Sequence, residues 1–325
     1  MFKLRYIVLA FIAMILVGFS LNALWIKGFS AGPKKIIVVL KATEEIEFWR
    51  VLTDGVQTAS KEFDVQASVI GPPKEIEVDL QISMIEQAIQ ENPDAIVMAA
   101  GDYNRLVPTA QKIRKAGIPL IMIDSDINGD YAESLISTDN IDAGEKAGRE
   151  MAELLPPNAK VAIISYVQGT STQIEREQGV RSILSYRKGT EIVGTYYSEG
   201  MEETAYNITK ELLQKRLDLD GIVGLNEPST VGAGRAIQEL GLMGKVKLVG
   251  FDSSIAEVKL LEAGVLQSTV VQKPFSIGYL GVKTALSVLN GDKVPPEIYT
   301  DSVVIHKDNM YTEENQKLLF PFVEE

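Results

Sequence analysis

Five polar residues, Asp102, Asp124, Asn226, Glu227 and Asp252, follow short apolar runs in "DAIVMAAGD", "IPLIMID", "DGIVGLNE" and "VKLVGFD". Carboxylates accept hydrogen bonds from hydroxyls, and amides both donate and accept. Such a set satisfies a guest dense in hydroxyl groups and offers little to a hydrocarbon. Phe48 and Trp49 open the stretch "EFWRVLTDGVQTASKEF", where flat rings can cover the C–H face of that guest. Plainer readings stand beside these. Asp124 and Asp252 also fit strand terminators or caps of the following helix. Phe48 and Trp49 fit ordinary packing of a helix on a sheet. Arg176, in "QIEREQG", reads on charge pattern alone as a solvated helix face. Glu44, Glu45 and Glu47 read as first-turn acids favoured by the helix dipole.

The elements between these groups must bring them together. From Lys35 onward, near-continuous apolar strands such as "KIIVVLK", "VQASVIG" and "DAIVMAA" alternate with helical patterns, which predicts parallel sheets covered on both faces. A second series follows: "KVAIISY", "EIVGTYY", "DGIVGLN", "VKLVGFD" and "LQSTVVQ". The pairs "MIEQAIQENPDAIVMAAGD" with "ITKELLQKRLDLDGIVGLNE", and "KIRKAGIPLIMID" with "IQELGLMGKVKLVGFD", repeat one plan. The expected fold is therefore α/β, with two Rossmann-like lobes joined by a hinge of crossing strands. Ligands in such sheets bind outside the carboxyl ends of the strands. A cleft between the lobes would set the polar strand ends face to face.

The chain has 325 residues, 46% of them hydrophobic and 23% charged, enough for two ordinary domains. Its formal net charge of −12 argues against nucleic acid as a partner. With no cysteine and a single histidine, His306, thiolate zinc sites, histidine-rich metal sites and a Ser–His–Asp triad are disfavoured by inventory. His306 reads as a satisfied surface or strand residue. No phosphate loop of the form G-x-x-x-x-G-K-S/T appears. A non-enzyme without cofactor or metal is expected. Tyr6 to Ile26 forms an apolar run long enough, at about 1.5 Å per residue, to cross a bilayer. It exceeds the usual secretory core and lacks a clear small-residue cleavage site. It is read as an uncleaved membrane anchor rather than a removed signal. Lys3 and Arg5 on its short side place the remainder outside the cytoplasm.

Seven stretches in order carry a resemblance to the ribose-type periplasmic sugar-binding proteins, relatives of the ligand-binding half of LacI-family repressors. They are "EFWRVLTDGVQTASKEF", "AIQENPDAIVMAAGDYNRLVPTAQKIRKAGIPLIMIDSD", "STDNIDAGEKAGREM", "GTSTQIEREQG", "GLNEPSTVGAGRAIQELG", "KLVGFDSS" and "VVQKPFSIGYLGVKTALSVLNG". The resemblance runs from Lys35 to about Asn309. It implies a two-lobe receptor joined by three strands, with an N-terminal lobe of residues 34–138 plus 273–301. Residues 139–272 plus 302–325 would form the C-terminal lobe, and 1–33 the cytoplasmic tip and anchor. It further implies that Phe48 and Trp49 sandwich a sugar ring and that Asp124, Arg176, Asn226, Asp252 and Gln272 bind its polar atoms. Three positions depart from the family pattern: Ile46 stands where an Asn is usual, Ser125 where ribose binders often carry Arg, and Gly200 where a stacking Phe is found. Losing an Arg and an aromatic ring should reshape the pocket relative to that of the ribose binders. The expected guest is a monosaccharide such as the pentose xylose, and the chain resembles the membrane-anchored sensors that Firmicutes pair with LytS- or YesM-type histidine kinases. An ABC sugar permease is the alternative partner. A repressor would spend its N-terminus on a DNA-binding helix-turn-helix, and here that region is apolar.

Overall fold

The computed structural model describes residues 32–43 and 46–320. The anchor read at residues 6–26, together with Glu44 and Glu45, lies outside them. Among the described residues no helix is long and apolar enough to cross a membrane.

The first sheet is built from runs that bury both faces. β1 (Lys35–Val39), β3 (Ala95–Met98) and β4 (Leu120–Ile123) are β-branched or aliphatic almost throughout, and β3 and β4 are buried at every position. Burial on both faces is what a parallel sheet sandwiched by helices requires. With β2 (Gln66–Ile70), β5 (Ser134–Thr138) and β11 (Glu297–Thr300), the order is β11-β5-β4-β3-β1-β2. All of its pairings are parallel. The second sheet repeats the plan. It comprises β6 (Lys160–Ser165), β7 (Glu191–Tyr197), β8 (Gly221–Gly224), β9 (Lys247–Phe251), β10 (Ser268–Val271) and β12 (Val303–His306). Its order is β12-β10-β9-β8-β6-β7, antiparallel only where β12 meets β10. Both sheets follow the 2-1-3-4-5 winding of doubly wound folds, so β1 corresponds to β6, β3 to β8 and β4 to β9.

Helices carry the chain between strands. Those that matter for the site are α1 (Glu47–Glu62), α4 (Asn140–Leu154), α5 (Ser171–Tyr186), α7 (Glu227–Glu239), α8 (Ile255–Glu262) and α9 (Pro274–Leu289). The others are α2 (Val78–Gln90), α3 (Val107–Lys115), α6 (Glu202–Lys215) and α10 (Glu313–Leu319). The chain passes between the sheets three times: after Thr138, after Val271 and after Thr300. α9 packs on α1 and the first sheet, while α4 packs on α5 and the second. The α4–α5 contact depends on glycine. A Cβ on Gly144 would stand 2.3 Å from the Arg176 carbonyl oxygen, and one on Gly179 2.3 Å from that of Ile141. Only glycine permits backbones to approach so closely, and the approach seats Arg176 beside the crossing segment.

Candidate functional site

The carboxyl ends of both sheets open onto one narrow cavity of about 30 Å³, below the roughly 300–1,000 Å³ typical of sites that hold a small molecule. Every residue singled out as a ligand contact lines it: Phe48, Trp49, Asp124, Arg176, Asn226, Asp252 and Gln272. Asp102 and Glu227 do not.

The first lobe contributes a charged pair and two rings. Asp124 follows β4 in the left-handed region at φ 58, which Asp tolerates better than most residues. Its N–H donates to the Ile136 carbonyl at 2.9 Å, and its own carbonyl accepts from the Ser137 hydroxyl of β5. That grip turns the carboxylate toward Lys41, whose Nζ lies 2.8 Å from Oδ2 with both side chains buried. Burial works against the Lys41 charge, but Asp124 and then Glu75 outweigh it and raise its pKa. Lys41 is thus a fixed ammonium, stacked 5.4 Å from the Trp49 ring centroid. Phe48 and Trp49 lie in the first turn of α1, whose end faces the cavity, so neighbouring positions both reach it. The rings stand edge to face, 4.9 Å apart at 87°. Trp49 Nε1 donates to Glu75 Oε1 at 3.0 Å.

The second lobe repeats the strand-end device. Asp252 follows β9 at φ 77, its N–H donates to Val270 at 2.9 Å, and its carbonyl accepts from the Thr269 hydroxyl at 2.8 Å. Its carboxylate accepts from Gln272 Nε2 and, at 3.1 Å, from the Glu227 N–H that opens α7. Burial raises the Asp252 pKa, while Arg176 and Gln272 pull it down. Arg176 donates through Nε to Asn140 Oδ1 at 2.8 Å and through Nη1 to the Leu225 carbonyl at 2.9 Å, and its guanidinium lies 4.8 Å from the Phe251 ring centroid. It is 3% exposed, which overturns the reading of a solvated helix face. Asn226 caps α7, with Oδ1 accepting from the Ser229 N–H at 3.1 Å, and this leaves its amide nitrogen for the cavity. Gln272, where the chain crosses between lobes, accepts from the Thr138 hydroxyl at 2.9 Å.

Donors and acceptors of both signs thus face one small space, with flat rings on its wall. Sequence reasoning missed Lys41, Glu75, Tyr166 and Thr172, which also line it. Lys41 and Tyr166 end the runs "KIIVVLK" and "KVAIISY", so reading every strand end would have found them. Glu75 and Thr172 lie off the strand ends and carried no such signal. The departures from the family pattern resolve unevenly. Ile46 lines the cavity; Ser125 is fully buried and donates to the Ala100 carbonyl at 2.8 Å; Gly200 lines a neighbouring recess instead. The second-lobe ring is supplied by Tyr166, whose hydroxyl donates to Thr172 Oγ1 at 2.8 Å. Asp102 accepts from the N–H groups of Asn104 and Arg105 at 2.8 Å and serves its own loop. His306 ends β12 with Nε2 2.6 Å from Glu150 Oε2.

A further string, Asp124-Ser125-Asp126-Ile127-Asn128-Gly129, spells D-x-D-x-N-G, the opening of a calcium loop. Its side chains diverge. Asp124 pairs with Lys41 and Asn128 donates to Asn104 Oδ1 at 3.0 Å, while the twelfth position is Leu135 rather than Glu. Among the described residues no group of three or more acids or histidines could hold a metal ion. The G-x-S-x-G string at residues 28–32 lies outside the described residues except for Gly32.

Comparison with known proteins agrees with this architecture. The family described as periplasmic binding protein domain matches residues 36–293. The ribose import binding protein RbsB of Haemophilus influenzae is 28% identical over 276 residues, covering 85% of this chain and 93% of that protein. Among solved structures, a solute-binding protein of an ABC transporter from Agrobacterium vitis with bound D-fucose superposes with a TM-score of 0.85 at 35% identity, covering 88% of this chain and 99% of that one. A carbohydrate transporter solute-binding protein from Agrobacterium radiobacter, in complex with D-arabinose, reaches 0.86 at 29% identity, with coverages of 89% and 100%.

Proposed function

We propose, because this chain belongs to the periplasmic binding protein domain family, that it is a non-catalytic receptor whose lobes close around a single monosaccharide, a pentose such as xylose being the first candidate. The observation that carries this reading is the single cavity lined from both lobes by Lys41, Asp124, Arg176 and Asp252, with Phe48 and Trp49 on its wall. Hydroxyls of a sugar can accept from Lys41, Arg176 and Asn226 and donate to Glu75, Asp124 and Asp252. The rings cover its C–H face. A guest held from both sides stabilises the closed arrangement over the open one, because only the closed form makes both sets of contacts.

Calorimetric titration of the full chain with D-xylose, D-ribose, D-arabinose and D-fucose tests this. One of them should bind, and Arg176→Ala and Asp252→Ala should each weaken it at least about tenfold, since a buried partner left unpaired costs about 1–3 kcal/mol. No binding by these four, by the other neutral pentoses and hexoses or by amino sugars sinks the receptor reading. Binding that is indifferent to either change sinks the site assignment.

The relatives' names, import and transporter binding proteins, favour an ABC permease as reader of the closed form. The apolar segment at residues 6–26 favours the second reading, a membrane-anchored sensor that signals to a histidine kinase. Co-purification of the full-length chain from its native membrane separates them: a permease without a kinase excludes the sensor.

A further inference from the structure

Beside the cavity lies a recess lined by Glu75 from the first lobe and by Glu199, Gly200, Glu202, Glu203 and Glu227 from the second. Ile46, Glu75 and Pro228 line both spaces, so the two share a wall. Among the described residues Lys74 is the one basic side chain on its wall. Glu202 and Glu203 are engaged by Arg235.

Glu75 links the two spaces. It is 9% exposed. Its Oε1 is taken by Trp49, while Oε2 is buried with no hydrogen-bond partner and lies 3.7 Å from where a Cβ on Gly200 would stand. Glu227 Oε2 is likewise buried and unpartnered. Charge sharpens the point. Three carboxylates line the cavity, Glu75, Asp124 and Asp252, against two cations, Lys41 and Arg176. Lys41 lies 2.8 Å from Asp124 and also feels Glu75, and Asp252 feels Arg176, so two cations are shared among three acids and Glu75 Oε2 keeps no hydrogen-bond partner. A hydroxyl would satisfy its free oxygen without balancing the buried charge, whereas an ammonium group does both. Gly200, left-handed at φ 73, adds no side chain to the recess beside Glu75.

We propose that the guest is a sugar bearing a positively charged amino substituent, seated at Gly200 between Glu75 and Glu227. This rests on the monosaccharide reading and narrows its ligand class. Glu227, which burial and then Asp252 push up to about 8, would ionise as the cation approaches.

The test is calorimetry on the full chain at pH 6.5 with D-galactose, D-glucose and D-ribose, each beside its amino-deoxy derivatives at every non-anomeric carbon. One amino sugar should bind about tenfold or more tightly than its parent, and Glu75→Gln should bring that ratio close to one. Glu227→Gln, which keeps the backbone hydrogen bond to Asp252, should lower it in part, which covers the case in which Glu75→Gln fails to fold. Parents that bind as well as every amino derivative overturn the inference and leave the receptor reading standing. An equal loss on parent and derivative in Glu75→Gln shows that Glu75 only accepts from a hydroxyl, and also overturns it. If neither class binds, both readings fall.

Discussion

At the ends of β4 and β9 the two lobes present one backbone arrangement: an aspartate in the left-handed region, its carbonyl held by a hydroxyl from the next strand, Ser137 in one lobe and Thr269 in the other. The side chains beyond that point differ. Asp124 is balanced by one cation of its own lobe, Lys41. Asp252 sits in a net made by Gln272, the opening N–H of α7 and the nearby Arg176, and Gln272 is itself held by Thr138 of the other lobe. The first half of the site is therefore complete within one lobe, whereas the second is tied to the crossing segments. Duplication supplies the frame, and the charges added to it decide which half feels the hinge.

The largest test of that contrast removes Lys41. Lys41→Met leaves Asp124 buried without its cation and should cost about 3–5 kcal/mol of stability, read by chemical denaturation. Adding Asp124→Leu should recover most of the loss; an additive double variant would show that the pair is not coupled. Arg176→Ala should cost less, about 1.5–3 kcal/mol, because it removes charged hydrogen bonds to Asn140 and Leu225 while Gln272 and α7 still hold Asp252. A loss equal to that of Lys41→Met would erase the distinction between pair and net.

Burial also tunes acidity, raising the pKa of Asp126 in the first lobe. Burial and then Asp252 raise Glu227 to about 8, and burial and then Asp126 raise Glu175 to about 7, both in the second lobe. Such groups take up protons on folding, so their contribution is intact below the unfolded carboxylate range near 4.5 and is lost as pH rises through 7 to 8. Glu227→Gln should be more stable than the parent chain at pH 8, on the order of 1–2 kcal/mol, and not at pH 4. A gain of the same size at both would refute the titration. The smallest effects should come from the shared frame. Ser137→Ala and Thr269→Val should each cost about 1 kcal/mol, and a large inequality would show that the two strand ends are not equivalent.

Much of the frame was legible in the chain. "LIMID" and "KLVGFD" are apolar runs that stop at an acid, and both became buried strands ending at the cavity. Arg176 was not legible from charge pattern, because "EREQ" looks the same whether the helix faces water or a neighbour. The close glycine contact of α4 with α5 is what buries it. Glu75 was hidden for a similar reason: it lies in a loop after β2, and only folding brings it under Trp49.

Period and residue type determined by themselves that this chain makes two parallel α/β sheets with polar strand ends, since apolar runs without alternation must be covered on both sides. Which acid meets which cation was decided by tertiary structure alone. Lys41 and Asp124 are far apart along the chain, and so are Gln272 and Thr138. A charge buried from water takes whatever partner the packing places within reach, and no local pattern records that distance.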